Sequence, residues 1–345
     1  MRRCFQLALS GAGAVAPNPM VGAVLVYKDV IIGEGWHIKY GKPHAEVNCI
    51  QSVADKDKPL IKESVLYVSL EPCAHYGKTP PCSKLIIEKK IPRVVIGCGD
   101  VYKEVDGKGI KQLLAAGISV TAGILEQEAV QLNQRFFTFH QFRRPYIILK
   151  WAQTNDHKIA KPVTASGTRR LLISNGYTNG LVHKWRSQEA AIMVGTNTAL
   201  HDNPSLTNRL WYGKNPVRIV IDNALKLPPS LHLFDGSADT IVFNYLKQEV
   251  CGMVKYFRID KNKNSISQVV EILYQQNIQS ILVEGGAALL QSFIDNNCWD
   301  EARVVTNTQM LAGDGLAAPV LPHSKLINEQ AIQSDHICFY KNMAY

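Results

Sequence analysis

Two successive series of apolar segments, each alternating between strand-like and helix-like patterns, most constrain what this chain can fold into. From 21 to 125 the order is VGAVLVY, HAEVNCIQSVAD, SVLYVSL, SKLIIEKK, RVVIGCG, KGIKQLLAAG and ISVTAGI. Short runs rich in Val and Ile read as strands, and apolar residues spaced three and four apart read as helices. Strands and helices taking turns predict an α/β layer structure with a mostly parallel sheet. A further helical stretch, EQEAVQLNQRFFTFHQF, leads to Arg143, Arg144 and Pro145, which mark the boundary. The pattern then restarts with YIILKWAQT, a helix around 174–189, AAIMVGT, PVRIVID, TIVFN, a helix at 265–276, SILVEGG, a helix at 287–296, and EARVVTNT. No internal repeat relates the two series. The expectation is two unrelated α/β domains in series, 1–143 and 144–345, each large enough for its own core.

Composition narrows the function classes. With 46% hydrophobic and 19% charged residues, and no apolar run reaching the roughly 20 residues that span a bilayer, a membrane protein is not expected. The start, MRRCFQLALSGAGAVAPNP, imitates a secretory signal, but Gln6 and Ser10 interrupt its apolar stretch. Arg2 and Arg3 with Leu7 and Leu9 suit an amphipathic first helix instead. Eight cysteines (4, 49, 73, 82, 98, 251, 298, 338) are sparse and irregular for a disulfide framework. Six read as buried thiols of a reducing, cytoplasmic compartment, and only Cys73 and Cys82 sit among other candidate ligands. The formal charge of +9 is scattered, without the clustered basic stripe of proteins that track nucleic acid. A solvated basic surface plus a few contacts to small phosphorylated ligands is the expected reading.

The first chemical signal lies in PHAEV at 43–47 and SLEPCAHYGKTPPCS at 69–83. His44 and Glu46 open a helix, Cys73 follows Glu71-Pro72 at a strand end, and Cys82 follows Pro80-Pro81 at a helix start. One His and two Cys suit a tetrahedral zinc site with its fourth position open, the arrangement of a catalytic metal. Glu46, two residues from a ligand, is placed to carry protons without binding the metal.

This order closely resembles the cytidine-deaminase-like superfamily, with one departure. Nucleoside and tRNA deaminases have two residues between the cysteines, and here there are eight, AHYGKTPP. That insert, with APNPMVG at 16–22 and GEGWH at 33–37, resembles the pyrimidine deaminase of riboflavin biosynthesis, whose family carries PNPxVG, GxGxH, HAE and EPCxHxGxTPPC. The resemblance implies a three-layer α/β/α deaminase domain. Its reaction would be hydrolytic removal of the 2-amino group from 2,5-diamino-6-(5-phosphoribosylamino)pyrimidin-4-one. Carried over by position, Asn18, His37, His75 and Lys78 would line the substrate pocket.

In the second half, SILVEGG at 280–286 is a buried strand ending in an acid and two glycines before a helix, a turn where backbone N–H groups can approach a phosphate. KWAQTNDHKIA at 150–160, HKWRSQEAAIMVGTNTALHDNPSLTNR at 183–209 and VEGGAALLQSF at 283–293 resemble the reductase domain of the same bifunctional family, whose fold is dihydrofolate-reductase-like. The resemblance implies NADPH-dependent reduction of the ribosyl group to ribityl. Arg186, Leu206, Arg209 and Glu284 then fall at substrate positions, the two arginines able to hold a 5′-phosphate. Gln153, Thr198, Asp202 and the turn of Gly286, Ala287, Ala288, Leu289, Leu290, Gln291 and Ser292 fall at NADPH positions. Lys150 and Asp156 are candidates for orienting the sugar or assisting its ring opening.

The family usually reads SGES followed by a polar residue, Trp, Ile and Thr, whereas SGTRRLLIS occupies 166–174 here. Arg169 therefore stands at a substrate position in place of serine, and Leu171 beside the cofactor in place of Trp. The expectation is a zinc- and NADPH-dependent enzyme, one Zn²⁺ per chain, acting on a small phosphorylated pyrimidine. It would be a homo-oligomer with no membrane or nucleic-acid partner. The alternative is a zinc deaminase of nucleic-acid bases with a basic C-terminal binding module.

Overall fold

The computed structural model describes residues 1–76, 80–102, 104–161 and 171–344. The chain divides into two compact units, Met1–Arg143 and Arg144–Tyr345. Among the described residues no helix is long and apolar enough to cross a membrane.

The first unit contains strands β1 (Gly22–Tyr27), β2 (Val30–Trp36), β3 (Val65–Leu70), β4 (Arg93–Cys98) and β5 (Ser119–Thr121). Its helices are α1 (Arg2–Leu9), α2 (Ala45–Gln51), α3 (Cys82–Glu88), α4 (Lys108–Ala115), α5 (Glu126–Leu132) and α6 (Gln134–Phe142). The sheet order is β2-β1-β3-β4-β5. The pairs β3–β4 and β4–β5 are parallel, while β2 and β3 both flank β1 antiparallel. This first sheet is therefore mixed rather than mostly parallel, because a tight turn folds β2 straight back on β1.

Strand alternation separates two faces. Ala23, Leu25, Leu66, Val68, Val94 and Ile96 pack against Ala45, Cys49, Ile50, Ile86 and Leu113 from α2, α3 and α4. On the other face Val24 packs with Cys4 and Leu7 of α1. Beyond these, Leu70 and Cys98 at the strand ends cluster with Phe5, Ala129, Phe136 and Phe137. The single helix expected over 126–142 is broken at Asn133. Its carboxamide leaves the helix pattern to clamp the backbone of Met20, accepting from its N–H at 2.8 Å and donating to its carbonyl at 2.9 Å. That clamp fixes the PNPMVG segment at its fourth residue.

The second unit contains β6 (Tyr146–Thr154), β7 (Lys158–Ala160), α7 (Gly176–Gln188), β8 (Ala191–Gly195), α8 (Thr196–Asp202), β9 (Val217–Ile221), β10 (Thr240–Asn244), β11 (Glu249–Cys251), β12 (Val254–Arg258) and α9 (Ser265–Gln275). It continues with β13 (Ser280–Val283), α10 (Ala287–Asp295), β14 (Glu301–Asn307), β15 (Leu316–Ala317), β16 (Ser324–Ile332) and β17 (Asp335–Asn342). Ten strands form one sheet, ordered β11-β12-β10-β9-β8-β13-β6-β14-β17-β16, and β7 pairs with β15 separately. The seven strands from β12 to β14 in that order run parallel. The edge strand β11 is antiparallel to β12, and β17 and β16 are antiparallel at the other edge. Leu149, Met193, Ile219 and Val283 face α9 and α10, whereas Ile148, Leu282 and Val305 face Val182 and Trp185 of α7.

Candidate functional site

In the first unit three distant segments supply one ligand each. His44 is the N-cap of α2, with extended backbone (φ −73, ψ 169). α2 can lie this close to β2 only because of two glycines. A Cβ at Gly35 would come 2.2 Å from the Cys49 amide nitrogen, and one at Gly33 2.6 Å from the Cys49 carbonyl oxygen. Cys73 follows the end of β3, and Cys82 is the first residue of α3. His44 Nδ1 lies 3.5 Å from Cys73 Sγ and 3.4 Å from Cys82 Sγ. Zinc about 2.3 Å from sulfur and about 2.0–2.1 Å from nitrogen, at a tetrahedral angle, requires N···S separations of about 3.5 Å. The three donors fit that ion.

The surroundings favour thiolate at Cys73. The hydrogen bond from Cys82 foremost, then His44 and the Cys82 amide 3.3 Å away, hold its thiol at about 4 despite burial. The same contact, together with burial, pushes the Cys82 thiol up. One thiolate is thus ready, and the second forms when a metal displaces its proton. Glu46 is buried, 3% exposed, and burial raises its carboxyl pKa. Among the described residues one other His/Cys/carboxylate trio exists, Glu329, His336 and Cys338. It lies on the outer β16–β17 hairpin, where the Glu329–His336 pair at 3.4 Å is a half-exposed surface contact.

Asn18 and His37 come together beside the ligands. His37 Nδ1 is 3.0 Å from the Pro43 carbonyl, which fixes that nitrogen as the donor and leaves Nε2 to accept from Asn18 Nδ2 at 3.1 Å. The His37 and His44 rings meet edge-on, 5.3 Å between centroids. His75 is half-buried, its Nδ1 without a hydrogen-bond partner among the described residues, and it begins a row of edge-on rings through Tyr102 to His140. Lys78 lies outside the described residues.

In the second unit Glu284 follows β13 and receives both arms of Arg186, Nε at 3.0 Å and Nη2 at 2.7 Å. Burial opposes ionisation of Glu284, but Arg186 and Lys150 outweigh it and hold the carboxyl at about 2. Two of the Arg186 nitrogens, Nε and Nη2, are therefore held by Glu284. Arg209 is exposed and bonds Thr207 Oγ1 at 3.0 Å. Leu206 has its side chain in the core with Ile192 and Leu233, so only its backbone can face a ligand.

The expected cofactor turn has the conformation its glycines permit. Gly285 and Gly286 have φ of +155 and +73, and a Cβ on either would come 3.1 Å from Thr198. α10 starts there without a side-chain cap, leaving backbone N–H groups open to an anion, a cradle that suits a cofactor phosphate. Gly286, Ala287 and Ala288 form the start of α10 at that turn. Leu289 and Leu290 are buried in the core, while Gln291 bonds Asp295 and Ser292 bonds the Ala288 carbonyl within the helix. Thr198 and Asp202 lie four residues apart on α8, and so on one face of it. Gln153 is enclosed by Trp151, Thr306 and His157. Asp156 accepts from Thr154 and from the Ala312 and Gly313 amides, and so anchors that loop. Leu171 is half-buried, and Arg169 lies outside the described residues.

Residues 1–98 match the cytidine and deoxycytidylate deaminase zinc-binding region, and residues 145–337 match the RibD C-terminal domain. The chain is 40% identical over 310 residues to the riboflavin biosynthesis protein RibD of Bacillus amyloliquefaciens, covering 87% of this chain and 81% of that one. It is 38% identical over 323 residues to RibD of Aquifex aeolicus, covering 92% and 88%. The chain belongs to the RibD family.

A crystal structure of a diaminohydroxyphosphoribosylaminopyrimidine deaminase/5-amino-6-(5-phosphoribosylamino)uracil reductase from Thermotoga maritima superposes on this RibD-family chain with a TM-score of 0.89. It is 37% identical and covers 99% of this chain and 97% of its own. RibD from Acinetobacter baumannii gives 0.87 at 29% identity, with the same coverage. The second half is thus a RibD reductase domain, and the alternative of a basic nucleic-acid-binding module is set aside.

Sequence reasoning missed Glu71, the acid of the EPC motif. It is buried, and its carboxylate accepts from the amides of Asp100, Gly107 and Ile110, tying the loop before α4 to the segment that carries Cys73. An acid before Pro-Cys was the only signal. Replacing Cys73 by serine is expected to cut zinc affinity more than about a hundredfold. NADPH affinity should be unchanged, since the turn at α10 belongs to the other unit. Zinc content near one per chain in the Cys73→Ser protein would place the metal elsewhere.

Proposed function

We propose that this chain carries out two successive steps of riboflavin biosynthesis on one phosphorylated pyrimidine. The first unit hydrolyses 2,5-diamino-6-(5-phosphoribosylamino)pyrimidin-4-one to 5-amino-6-(5-phosphoribosylamino)uracil and ammonia. The second reduces the ribosyl group of that product to ribityl with NADPH. Carrying this assignment is the convergence of His44, Cys73 and Cys82 in a unit that also buries Glu46.

His44, Cys73 and Cys82 would hold zinc, one ion per chain, which when bound would act as a Lewis acid towards water near neutral pH. Glu46 carries the proton. Its carboxylate takes a proton from the water and releases it to the departing amino nitrogen. His37, oriented by Pro43, fixes the Asn18 carboxamide against the ring of the substrate. His75 and Lys78 complete the pocket.

When bound at the second unit, NADPH would supply the hydride that reduces C1′ of the opened sugar. The protein's part is to position and to exclude water, with little acid–base work. Gly286, Ala287 and Ala288 offer amides to a cofactor phosphate, with Thr198, Asp202, Gln153 and Leu171 around it. Arg209 binds the 5′-phosphate of the substrate, and Lys150, close enough to lower the Glu284 pKa, assists ring opening. The enzyme is cytoplasmic, its eight free thiols suiting a reducing compartment. It is a homo-oligomer acting on small molecules, and the exposed outer strand β16 offers an edge for a second copy.

Purified zinc-loaded protein given the diaminopyrimidinone substrate and NADPH tests both steps in one vessel. Ammonia followed by NADPH loss is expected, and ammonia alone would mean that the SGTRRLLIS segment has disabled or redirected the second unit. Arg209→Ala is expected to raise the KM of the phosphorylated uracil by about 10- to 100-fold, the loss of a charged hydrogen bond. NADPH affinity should change less than about twofold. Equal losses for both ligands would take Arg209 out of the phosphate site.

A further inference from the structure

The segment that carries Arg209 has no helix or strand of its own between 203 and 216. It is held from outside, by α7. The amides of Arg209 and Leu210 both donate to His183 Nδ1, at 2.9 and 3.4 Å. Arg186 Nη1 donates to the Thr207 carbonyl at 3.3 Å. Gly213 sits so close to α7 that a Cβ there would come 2.7 Å from the Ser187 Cβ. Residues 183, 186 and 187 are three and four apart, so one face of α7 is the template for this loop. Lys184 adds a cation–π contact to Trp211 at 5.3 Å.

We propose that His183 is a positioning residue of the reductase: its unprotonated Nδ1, accepting two successive backbone N–H groups, sets where Arg209 stands and hence where the phosphate of the substrate is held. This rests on Arg209 being the phosphate contact. The chemistry of the acceptor explains why the residue is a histidine. A carboxylate would bring a negative charge against the phosphate, and an apolar side chain would leave two amides without a partner. Imidazole accepts while neutral, and a proton on Nδ1 would set N–H against N–H. Burial, then the charges of Arg186 and Arg209, keep the ring neutral by lowering its pKa to about 4.

The stereochemistry supplies its own control. Asparagine places Oδ1 where Nδ1 stands, one bond from Cγ, whereas glutamine carries its oxygen one bond farther. In the zinc-loaded full chain, His183→Ala is expected to raise the KM of the phosphorylated uracil about tenfold, with kcat changed less than about twofold. Unchanged NADPH affinity would show that the reductase unit is folded. His183→Asn should recover most of the lost affinity and His183→Gln little of it. In the Arg209→Ala background His183→Ala should cost nothing more, because its effect passes through Arg209.

Full additivity of the two losses, or an asparagine variant no better than alanine, would overturn this proposal alone. An Arg209→Ala protein with unchanged KM would overturn the phosphate assignment of Arg209 and this proposal with it.

Discussion

Glu46→Gln is expected to lower ammonia release by about 10²- to 10⁴-fold, the range that a positioned proton-transfer group contributes, while zinc stays near one per chain. Glutamine keeps the volume and a carbonyl acceptor at the same depth, so the buried first turn of α2 is left without a cavity. It cannot take up and return a proton. The ligand set is untouched, since His44 is the N-cap and Glu46 lies inside the helix, two residues on. NADPH consumption from supplied 5-amino-6-(5-phosphoribosylamino)uracil should be unchanged. Zinc content and ammonia release measured on the same sample decide between the outcomes. Full ammonia release from a zinc-loaded Glu46→Gln protein would assign the proton to another group. Loss of zinc along with activity would mean that Glu46 belongs to the metal's own shell.

How much was legible in advance depended on how local each feature is. The metal donors sit at the ends of successive elements, at the start of α2, just past β3 and at the start of α3, so short motifs carried them. Their partners at a distance were not legible. Arg186 and Glu284 are 98 residues apart, and only the folded sheet shows that the arginine is already paired. The partners of Asp156 include backbone amides 156 and 157 residues away, which no local pattern signals. Asn133 reads as an ordinary helix residue until the Met20 backbone is placed beside it.

Strands with one exposed face or an exposed edge were also lost. β16 is solvent-exposed along nearly all its length, and β2 begins with the exposed Val30 and Ile31, so neither shows the apolar alternation that marks a strand. Six of the seven parallel strands of the second unit, largely buried, read as apolar runs, while the half-exposed β12 (VKYFR) did not.

The buried ion pair makes the second large effect. Arg186→Leu is expected to destabilise the reductase unit by about 3–5 kcal/mol, because it leaves the Glu284 carboxylate buried without its bidentate partner. Both side chains are largely buried, 13% and 7% exposed, so water cannot take over the role of the guanidinium. The loss depends on pH in a direction that the Glu284 pKa fixes. In the native protein that pKa is depressed to about 2, against about 4.3 in an unfolded chain. The pair therefore contributes fully above about pH 4.3, and its contribution fades as pH falls towards 2.

Without Arg186, burial pushes the same carboxyl the other way, so the variant protonates Glu284 readily and recovers part of its stability in acid. The gap between the two proteins should be widest near pH 7 and narrow steadily below about pH 5. Denaturant unfolding followed by tryptophan fluorescence measures it, since four of the five tryptophans (151, 185, 211 and 299) lie in the second unit. A gap that stays constant from pH 7 to pH 4 would mean that the uncompensated charge is not the source of the loss. The cost of Arg186→Leu would then lie in packing alone.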